Sequence, residues 1–379
     1  MKKIMTIFGT RPEAIKMAPL VLQLQKDPLL QPVVVVTAQH REMLDTVLDT
    51  FGIEPDYDLN VMTPGQTLSE VTSRVLTGLE HIIQEEKPDM ILVHGDTTTT
   101  FAGSLAAFYN EVRIGHVEAG LRTYNKYSPF PEELNRQMTG NMADLHFAPT
   151  VQARQNLLNE NKSEHSVVVT GNTAIDAMRT TIHGAYESDI LAKHEGKRIV
   201  LLTAHRRENI GQPMAEIFKA ARQVVEEVED VVLVYPMHKN PKVRDIAHQY
   251  LEGHSRIELI EPLDVVDFHN FAHNAFLIMT DSGGVQEEAP SLGKPVLVLR
   301  DTTERPEGVE AGTLKLVGTD EASVYQNLMK LLTDTTEYDA MSHAKNPYGD
   351  GYASERICEH IKYYFDLIDE KPLPFKVTK

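Results

Sequence analysis

Two carboxylates follow short apolar runs in the first half of the chain. Asp96 comes shortly after Met90–Val93, and Glu118 comes directly after Ile114–Val117. If both runs are parallel strands, their carboxyl ends meet at one edge of a sheet. Two carboxylates placed there would perturb each other's pKa, a pattern expected of acid–base catalysis. For Asp96 the alternative is an N-cap of the next helix, since aspartate is among the best capping residues.

A third carboxylate, Glu132, lies in a predicted helix that begins at Pro131. Arg136 follows four residues later, so the two side chains would lie on one face of that helix. In one interpretation Arg136 positions Glu132 as a further acid or base. The other interpretation is a surface salt bridge worth about 0.2–0.5 kcal/mol, and the spacing alone favours it.

Basic side chains cluster near predicted strand ends in a chain that is otherwise acidic. The chain has 37 Lys and Arg against 55 Asp and Glu, a net charge of −18. Positive charge collected against that background indicates an anionic ligand, and an arginine fork binds phosphate bidentately. Each of these residues could instead be an ordinary surface charge or ion-pair partner. The set is Arg11, Lys16, His205, Arg206, Arg207, His238, Lys239 and Arg305.

A glycine-containing turn, Thr280–Glu288, follows an apolar run and precedes a predicted helix. Gly283 and Gly284 would let the backbone approach a phosphate, and Ser282 could add a hydroxyl and cap the helix. Glu288, one turn into the helix, suits ribose hydroxyls. The alternative is an ordinary strand–turn–helix joint.

Several motifs of cofactor and metal chemistry are absent from the sequence. There is no GxGxxG opening the first predicted strand, no Walker A motif and no GxSxG elbow. Cys358 is the single cysteine, so neither a disulfide nor a CxxC metal site is expected. We therefore expect no cofactor and no metal, and chemistry carried by acid–base side chains.

The elements that must position these residues alternate between apolar β-branched runs and helical patterns. Continuous apolar runs are typical of parallel strands buried on both faces. Two such series predict two doubly wound, Rossmann-like α/β domains, residues 1–172 and 173–352, with a C-terminal helix at about 353–368 packing back on the first. The predicted strands are Ile4–Phe8, Val33–Thr37, Met90–Val93, Ile114–Val117, Leu145–Ala148, Ile199–Thr203, Val231–Tyr235, Ile257–Ile260, Phe276–Thr280 and Val296–Leu299.

The composition also excludes two classes of partner, nucleic acids and anionic membranes. An acidic surface repels nucleic acid and anionic membranes. The first apolar run, Ile4–Phe8, is too short for a signal peptide, and no run reaches the roughly 18 residues of a membrane span. With one cysteine as well, we expect a cytoplasmic protein.

In their order along the chain, these motifs closely resemble the non-hydrolysing UDP-N-acetylglucosamine 2-epimerases of bacteria. Single motifs are weak, but the ordered set is specific and covers almost the whole sequence. The motifs are FGTRPEAIKMAP from Phe8, HGDTTTTFAG from His94, HVEAGLRT from His116, PFPEELNRQ from Pro129, TAHRREN from Thr203, TDSGGVQEEAPSLGKPVLVLRDTTERPE from Thr280 and NPYGDG from Asn346.

The resemblance implies a two-domain fold like that of B-type glycosyltransferases, with the ligand in the cleft between domains, and a homodimer. It implies UDP-N-acetylglucosamine and UDP as ligands. The positions matching the family's nucleotide pocket are Arg11, Phe268, Ser282, Gly283, Gly284, Glu288 and Arg305. Those matching its catalytic residues are Lys16, Asp96, Glu118, Glu132, Arg136 and His205.

Bacterial members also resemble one another in a second, regulatory UDP-N-acetylglucosamine site. This chain has Glu42 and Gly65 where some relatives have glutamine and arginine, so a donor is lost and a carboxylate is gained. We expect a weaker allosteric site. Its matching positions are Gln39, Glu42, Gly65, Glu132, Arg206 and His238.

The expected reaction is inversion at C2 of the sugar through loss and return of UDP, with 2-acetamidoglucal as intermediate. A hydrolysing epimerase and a glycosyltransferase of the same fold are the alternatives, and a non-catalytic sensor is a third. Teichoic acid linkage units or other cell-surface polysaccharides are the usual destinations of the family's product.

Overall fold

Residues 1–38, 41–63 and 65–377 are described by a computed structural model, which leaves the side chains of residues 41 and 42 aside. The chain divides into two compact units. The first contains residues 1–180 and 348–376, and the second contains residues 181–347.

The first unit has, within the described residues, a sheet of seven parallel strands in the order β3-β2-β1-β4-β5-β6-β7. The order reverses between β1 and β4, which is the switch point of a doubly wound sheet. The strands are β1 (Lys2–Phe8), β2 (Leu30–Val36), β3 (Tyr57–Asp58), β4 (Met90–His94), β5 (Arg113–Val117), β6 (Leu145–Ala148) and β7 (Val167–Val169). The helices are α1 (Arg11–Lys26), α2 (Arg41–Phe51), α3 (Leu68–Glu86), α4 (Thr98–Tyr109), α5 (Glu132–Met142), α6 (Val151–Asn159), α7 (Thr173–Thr181) and α16 (Ala353–Tyr364).

The second unit repeats the same winding in its described part, with six parallel strands in the order β10-β9-β8-β11-β12-β13. The strands are β8 (Arg198–Thr203), β9 (Val231–Pro236), β10 (Ile257–Ile260), β11 (Leu277–Thr280), β12 (Val296–Val298) and β13 (Leu314–Leu316). The helices are α8 (Asp189–Lys193), α9 (Gln212–Glu227), α10 (Pro241–Leu251), α11 (Val265–Asn274), α12 (Gly283–Glu288), α13 (Pro306–Glu310), α14 (Glu321–Thr333) and α15 (Thr335–Ser342). The predicted class, two doubly wound α/β domains, is confirmed.

Burial on both faces explains why the strands are continuous apolar runs. Along β1, Ile4 and Phe8 enter one hydrophobic core, while Met5 and Ile7 enter another on the opposite face. All four side chains are fully buried. A strand with helices on both faces has no polar side, so its sequence cannot alternate.

The C-terminal helix α16 packs within the first unit. Ile357 and Ile361 are fully buried in the core that also holds Ile4 and Phe8. Its last helical residue is Tyr364, short of the expected 368, because Asp366 has a left-handed φ of 54°.

The division between units falls after residue 180, whereas the sequence pattern suggested 172. Helix α7 lies in the first unit because the side chain of its Asp176 forms hydrogen bonds with the backbone of α16. Its carboxylate accepts from the backbone N–H groups of Ala353, at 3.1 Å, and Ser354, at 2.7 Å. The side chain thus caps a helix that its own N-terminal residue, Tyr352, leaves uncapped.

Candidate active site

The turn after β1 places Arg11 and Lys16 at the carboxyl edge of the first sheet. Helix α1 begins at Arg11 with a capping box, in which Thr10 and Glu13 each accept a hydrogen bond from the other's backbone N–H. Pro12 occupies the first turn, where a missing N–H costs little. Arg11 is half-buried there, and Lys16 reaches the carboxylate of Glu118.

Glu13 joins this turn to the one after β4. One carboxylate oxygen accepts from the N–H groups of Gly9, at 3.1 Å, and Thr10, at 2.8 Å. The other accepts from the hydroxyls of Thr97, at 2.6 Å, and Thr100, at 3.2 Å. Burial raises the pKa of Glu13 although these hydrogen bonds oppose the change. Sequence reasoning did not single out Glu13, although the Thr10-x-x-Glu13 capping box was readable.

Lys16, Asp96, Glu118 and Arg136 form a carboxylate cluster in the first unit. Nη2 of Arg136 lies 2.5 Å from Oδ2 of Asp96 and 3.3 Å from Oε1 of Glu118. Lys16 pairs with the other oxygen of Glu118. The two acids and two cations therefore form one connected network.

The cap of α4 is Thr97, whose hydroxyl accepts from the N–H of Thr100. Asp96 makes no cap, so the capping alternative for it is wrong. Its carboxylate binds Arg136 and is 29% exposed, which leaves room for contact with a ligand.

Glu118 has an unusual backbone and an unusual charge environment. Its φ is +60°, which a non-glycine residue adopts only where surrounding structure compensates the strain. Burial raises the pKa of the Glu118 carboxyl, but the cations Lys16 and Arg136 oppose burial and hold it well below the ordinary value. Glu118 is therefore ionised throughout the neutral range.

The expected pairing of Glu132 with Arg136 is wrong. Both lie on α5, but Arg136 is buried and turns to Asp96 and Glu118 instead. The buried acid of this helix is Glu133, which accepts from the backbone N–H groups of Thr123, at 2.9 Å, and Tyr124. Glu132 is half-buried at the first position of the helix.

His94, at the end of β4, was not singled out from the sequence. Its Nε2 lies 3.6 Å from Oε2 of Glu118, and neither ring nitrogen hydrogen-bonds to another described residue. Burial lowers the pKa of His94 to about 4, so the ring is neutral at pH 7. A neutral ring beside Glu118 does not cancel the charge of the carboxylate.

The glycine turn of the second unit lies under a guanidinium. A Cβ on Gly283 would stand 3.1 Å from Cζ of Arg305, so a larger residue would push the guanidinium outward by a few tenths of an ångström. Glu287 orients Arg305 through a 2.8 Å bond from Nε. Ser282 is the N-cap residue of α12, but its hydroxyl makes no capping bond, unlike the expectation.

Three other predicted residues lie at the carboxyl ends of β8 and β9. His205 and Arg206 follow β8, and both backbone N–H groups donate to Asp281 at 2.9 Å. The ring of His238 stacks on that of His205, with centroids 5.5 Å apart and planes 13° apart. The structure therefore brings His205, Arg206 and His238 together beside Asp281 of the glycine turn.

Phe268 and Glu288 lie elsewhere in the second unit. Phe268 is half-buried on α11 and packs against the core that contains Val285 of the glycine-turn helix. Glu288 is half-buried on α12, with Oε2 3.5 Å from Nε2 of His269.

The expected regulatory positions are only partly described. Gln39 lies outside the described residues, and so does the side chain of Glu42. Gly65 has a φ of +74°, and a Cβ placed there would meet none of the described atoms within 4 Å.

Across the described ranges, no group of three or more His, Cys, Asp or Glu side chains is arranged to hold a metal ion. In the same part of the chain, every helix is too short or too polar to cross a bilayer.

Two doubly wound parallel units with ionisable clusters at their strand ends define an α/β enzyme of the nucleotide-binding type. The family model described as UDP-N-acetylglucosamine 2-epimerase matches residues 22–362. The chain therefore belongs to the UDP-N-acetylglucosamine 2-epimerase family, an isomerase family, as the resemblance implied.

Individual relatives agree with this assignment. A Bacillus subtilis (strain 168) protein named UDP-N-acetylglucosamine 2-epimerase is 64% identical over 373 residues, 98% of each chain. The Staphylococcus aureus MnaA–UDP co-structure is 67% identical, with a TM-score of 0.89 over 99% of this chain and 100% of that one. UDP-GlcNAc 2-epimerase from Neisseria meningitidis, solved bound to UDP-GlcNAc, is 47% identical, with a TM-score of 0.85 over 95% of this chain and 100% of its own.

Proposed function

We propose that this protein interconverts UDP-N-acetylglucosamine and UDP-N-acetylmannosamine by inverting C2 of the sugar. The observation that carries this is the carboxylate cluster, in which Arg136 joins Asp96 to an ionised Glu118. Binding a nucleotide sugar alone needs no such set of acids, whereas moving a proton does. The relatives solved with UDP and with UDP-GlcNAc support the choice of ligand.

The nucleotide would bind at the glycine turn of the second unit. Arg305, which packs over the glycine turn at Gly283, supplies a fork for the diphosphate. The half-buried Glu288 suits the ribose hydroxyls. The proposed binding residues are Arg11, Phe268, Ser282, Gly283, Gly284, Glu288 and Arg305.

The C2 proton of the substrate is not acidic, because no carbonyl is attached to that carbon. Breaking the bond from C1 to the diphosphate oxygen sends its electron pair out with UDP and leaves positive charge at C1. That charge acidifies C2–H, and a carboxylate takes the proton to give 2-acetamidoglucal. Protonation from the opposite face and return of UDP to C1 give the other epimer.

The environments of the three acids suggest a different catalytic role for each. A carboxylate whose pKa is held low is a weak base, so Glu118 suits stabilisation of positive charge at C1 better than storage of a proton. The partly exposed Asp96 and the half-buried Glu132 remain for proton removal and return. Lys16, Arg136 and His205 would hold these acids and the departing diphosphate, an electrostatic contribution that is usually the largest one.

A hydrolysing epimerase is the second candidate, since water could capture the same intermediate. Proton NMR of the protein with UDP-N-acetylglucosamine alone separates the two. We expect an intact UDP-sugar and the same final mixture from either epimer. Free N-acetylmannosamine accumulating with UDP would contradict the proposal, and turnover only with an added acceptor would indicate a glycosyltransferase.

We further propose a cytoplasmic homodimer whose product feeds teichoic acid or another surface polysaccharide. Regulation by a second UDP-N-acetylglucosamine would use Gln39, Glu42, Arg206 and His238. Arg206 and the stacked His238 support that placement, because both lie against His205.

A further inference from the structure

Asp281, the second residue of the glycine turn, is fully buried and holds the loop after β8. Its Oδ2 accepts from the backbone N–H groups of His205 and Arg206, both at 2.9 Å, and from Nδ2 of Asn209, at 3.1 Å. Three donors saturate this oxygen. The charge of the carboxylate is therefore fixed at the base of the loop that carries His205.

The second oxygen of Asp281 has a different environment. Oδ1 is buried and accepts no hydrogen bond from any residue in the described part of the chain. It lies 3.6 Å from Nδ1 of His205. A buried carboxylate oxygen without a donor is costly, and the ring nitrogen is the group placed to supply one.

We propose that Asp281 is a positioning residue that keeps the proton of neutral His205 on Nδ1 and stabilises the ring when Nε2 gains a second proton. The inference rests on the proposed function, because the group at Nε2 would be the diphosphate of the departing nucleotide. A carboxylate behind the imidazole fixes its tautomer and supports the imidazolium, as the aspartate does in Ser-His-Asp triads.

The other charges around His205 make this support necessary. Although the side chain is 40% exposed, partial burial lowers the pKa of His205. Asp281 opposes that change, as Glu208 does more weakly, while His238 and Arg206 add to it. Because the nearby His238 ring accepts from the N–H of Asn240 through Nδ1, its own proton lies on Nε2 when neutral. Asp281 is thus the principal support for positive charge on His205.

The test is histidine-labelled NMR of the whole protein, free and saturated with UDP, with the His205 signals assigned from His205→Gln. We expect the Nδ1–H tautomer in the free wild-type protein and a rise in the pKa of His205 on adding UDP. Asp281→Asn keeps an oxygen for the three donors but turns an NH₂ group toward Nδ1. It should reverse the tautomer, lower the pKa by about one unit and weaken UDP binding about tenfold at pH 7.

Asn209→Ala is the matched control, because it removes one donor to Asp281 without touching the contact with His205. It should leave the tautomer and the titration of His205 unchanged. An Nε2–H tautomer in the wild-type protein would overturn the assignment even if Asp281→Asn does not fold. So would equal titration shifts in Asp281→Asn and Asn209→Ala.

None of these readouts requires turnover. A wild-type protein that shows the expected tautomer but does not epimerise UDP-N-acetylglucosamine contradicts the proposed function and leaves the Asp281–His205 pair standing. Normal epimerisation with an unchanged His205 titration in Asp281→Asn contradicts the pair alone.

Discussion

Asp96 and Glu118 share one cation, because Nη2 of Arg136 lies 2.5 Å from the first carboxylate and 3.3 Å from the second. Burial lowers the pKa of the Arg136 guanidinium, but Asp96 and Glu118 outweigh that effect and raise it. Removing the shared charge would leave two facing carboxylates with Lys16 as the remaining strong cation of the cluster. Arg136 therefore helps to position both acids, and Lys16 holds Glu118 as well.

Arg136→Lys should lower kcat by about 10²-fold or more, since one ammonium nitrogen cannot bind both acids and also the carbonyl oxygen of Glu118, to which Nη1 donates. Steady-state kinetics of epimerisation measure the effect. Arg198→Lys is the control, because Arg198 makes a bidentate pair with Asp230 in the second unit, whereas the cluster belongs to the first. Similar losses of kcat in both variants would show that the effect is not specific to the cluster.

Glu13→Ala should destabilise the protein by about 3 kcal/mol or more, because three buried donors and the partly buried hydroxyl of Thr97 lose their acceptor. Denaturant unfolding measures the change. Glu70→Ala is the matched control, since Glu70 forms an equivalent capping box with Thr67 on the exposed start of α3. It should lose far less stability, and equal losses would mean that Glu13 acts only as a cap and does not join the two turns.

His94 should make stability depend on pH between about 6.5 and about 4. Burial lowers the pKa of this histidine to about 4, so across that range the unfolded chain binds a proton that the folded chain does not. The contribution of His94 to the free energy of unfolding is therefore present in full above pH 6.5. It falls by about 3 kcal/mol in all as the pH drops to about 4. His94→Gln should remove this part of the slope in unfolding curves measured against pH.

His146→Gln is the comparison for that prediction. Burial lowers the pKa of His146 to about 4 as well, but it lies on β6, and Glu118 is not among the groups that influence it. Both variants should change the pH slope of stability alike, whereas only His94→Gln should lower kcat. A pH slope unchanged by His94→Gln would exclude the neutral buried ring.

Asp176→Ala should loosen α16, because the first turn of that helix loses the carboxylate that accepts from Ala353 and Ser354. Trypsin should then cut after Arg356 or Lys362 about tenfold faster than in the wild type. Glu359→Gln, which removes an exposed ion pair with Lys362, should leave the rate unchanged. Equal rates for the Asp176→Ala and wild-type proteins would refute the capping role.

The sequence predicted ten strands close to where they occur, because strands buried on both faces must be continuously apolar. It missed β3, β7 and β13, which have two or three residues each. All three are edge strands of their sheets. A strand with a single neighbour needs only a few paired residues, too few for a periodic signal.

The candidate active site was likewise predictable from the sequence only in part. Asp96 and Glu118 could be placed together because parallel strands end at one edge. The partners of Arg136 could not be predicted, because i, i+4 spacing shows which residues share a helix face but not which residues pack against that face. Glu13 and Thr97 meet across 84 positions of sequence, a distance over which local patterns carry no information.

Turnover of UDP-N-acetylglucosamine in deuterated water, followed by NMR at C2, tests the proposed chemistry most directly. If a carboxylate removes the C2 proton after UDP departs, both epimers should gain deuterium at C2. Asp96→Asn and Glu118→Gln should abolish labelling while UDP still binds. Epimerisation without deuterium at C2 would contradict proton removal and indicate chemistry that retains the hydrogen.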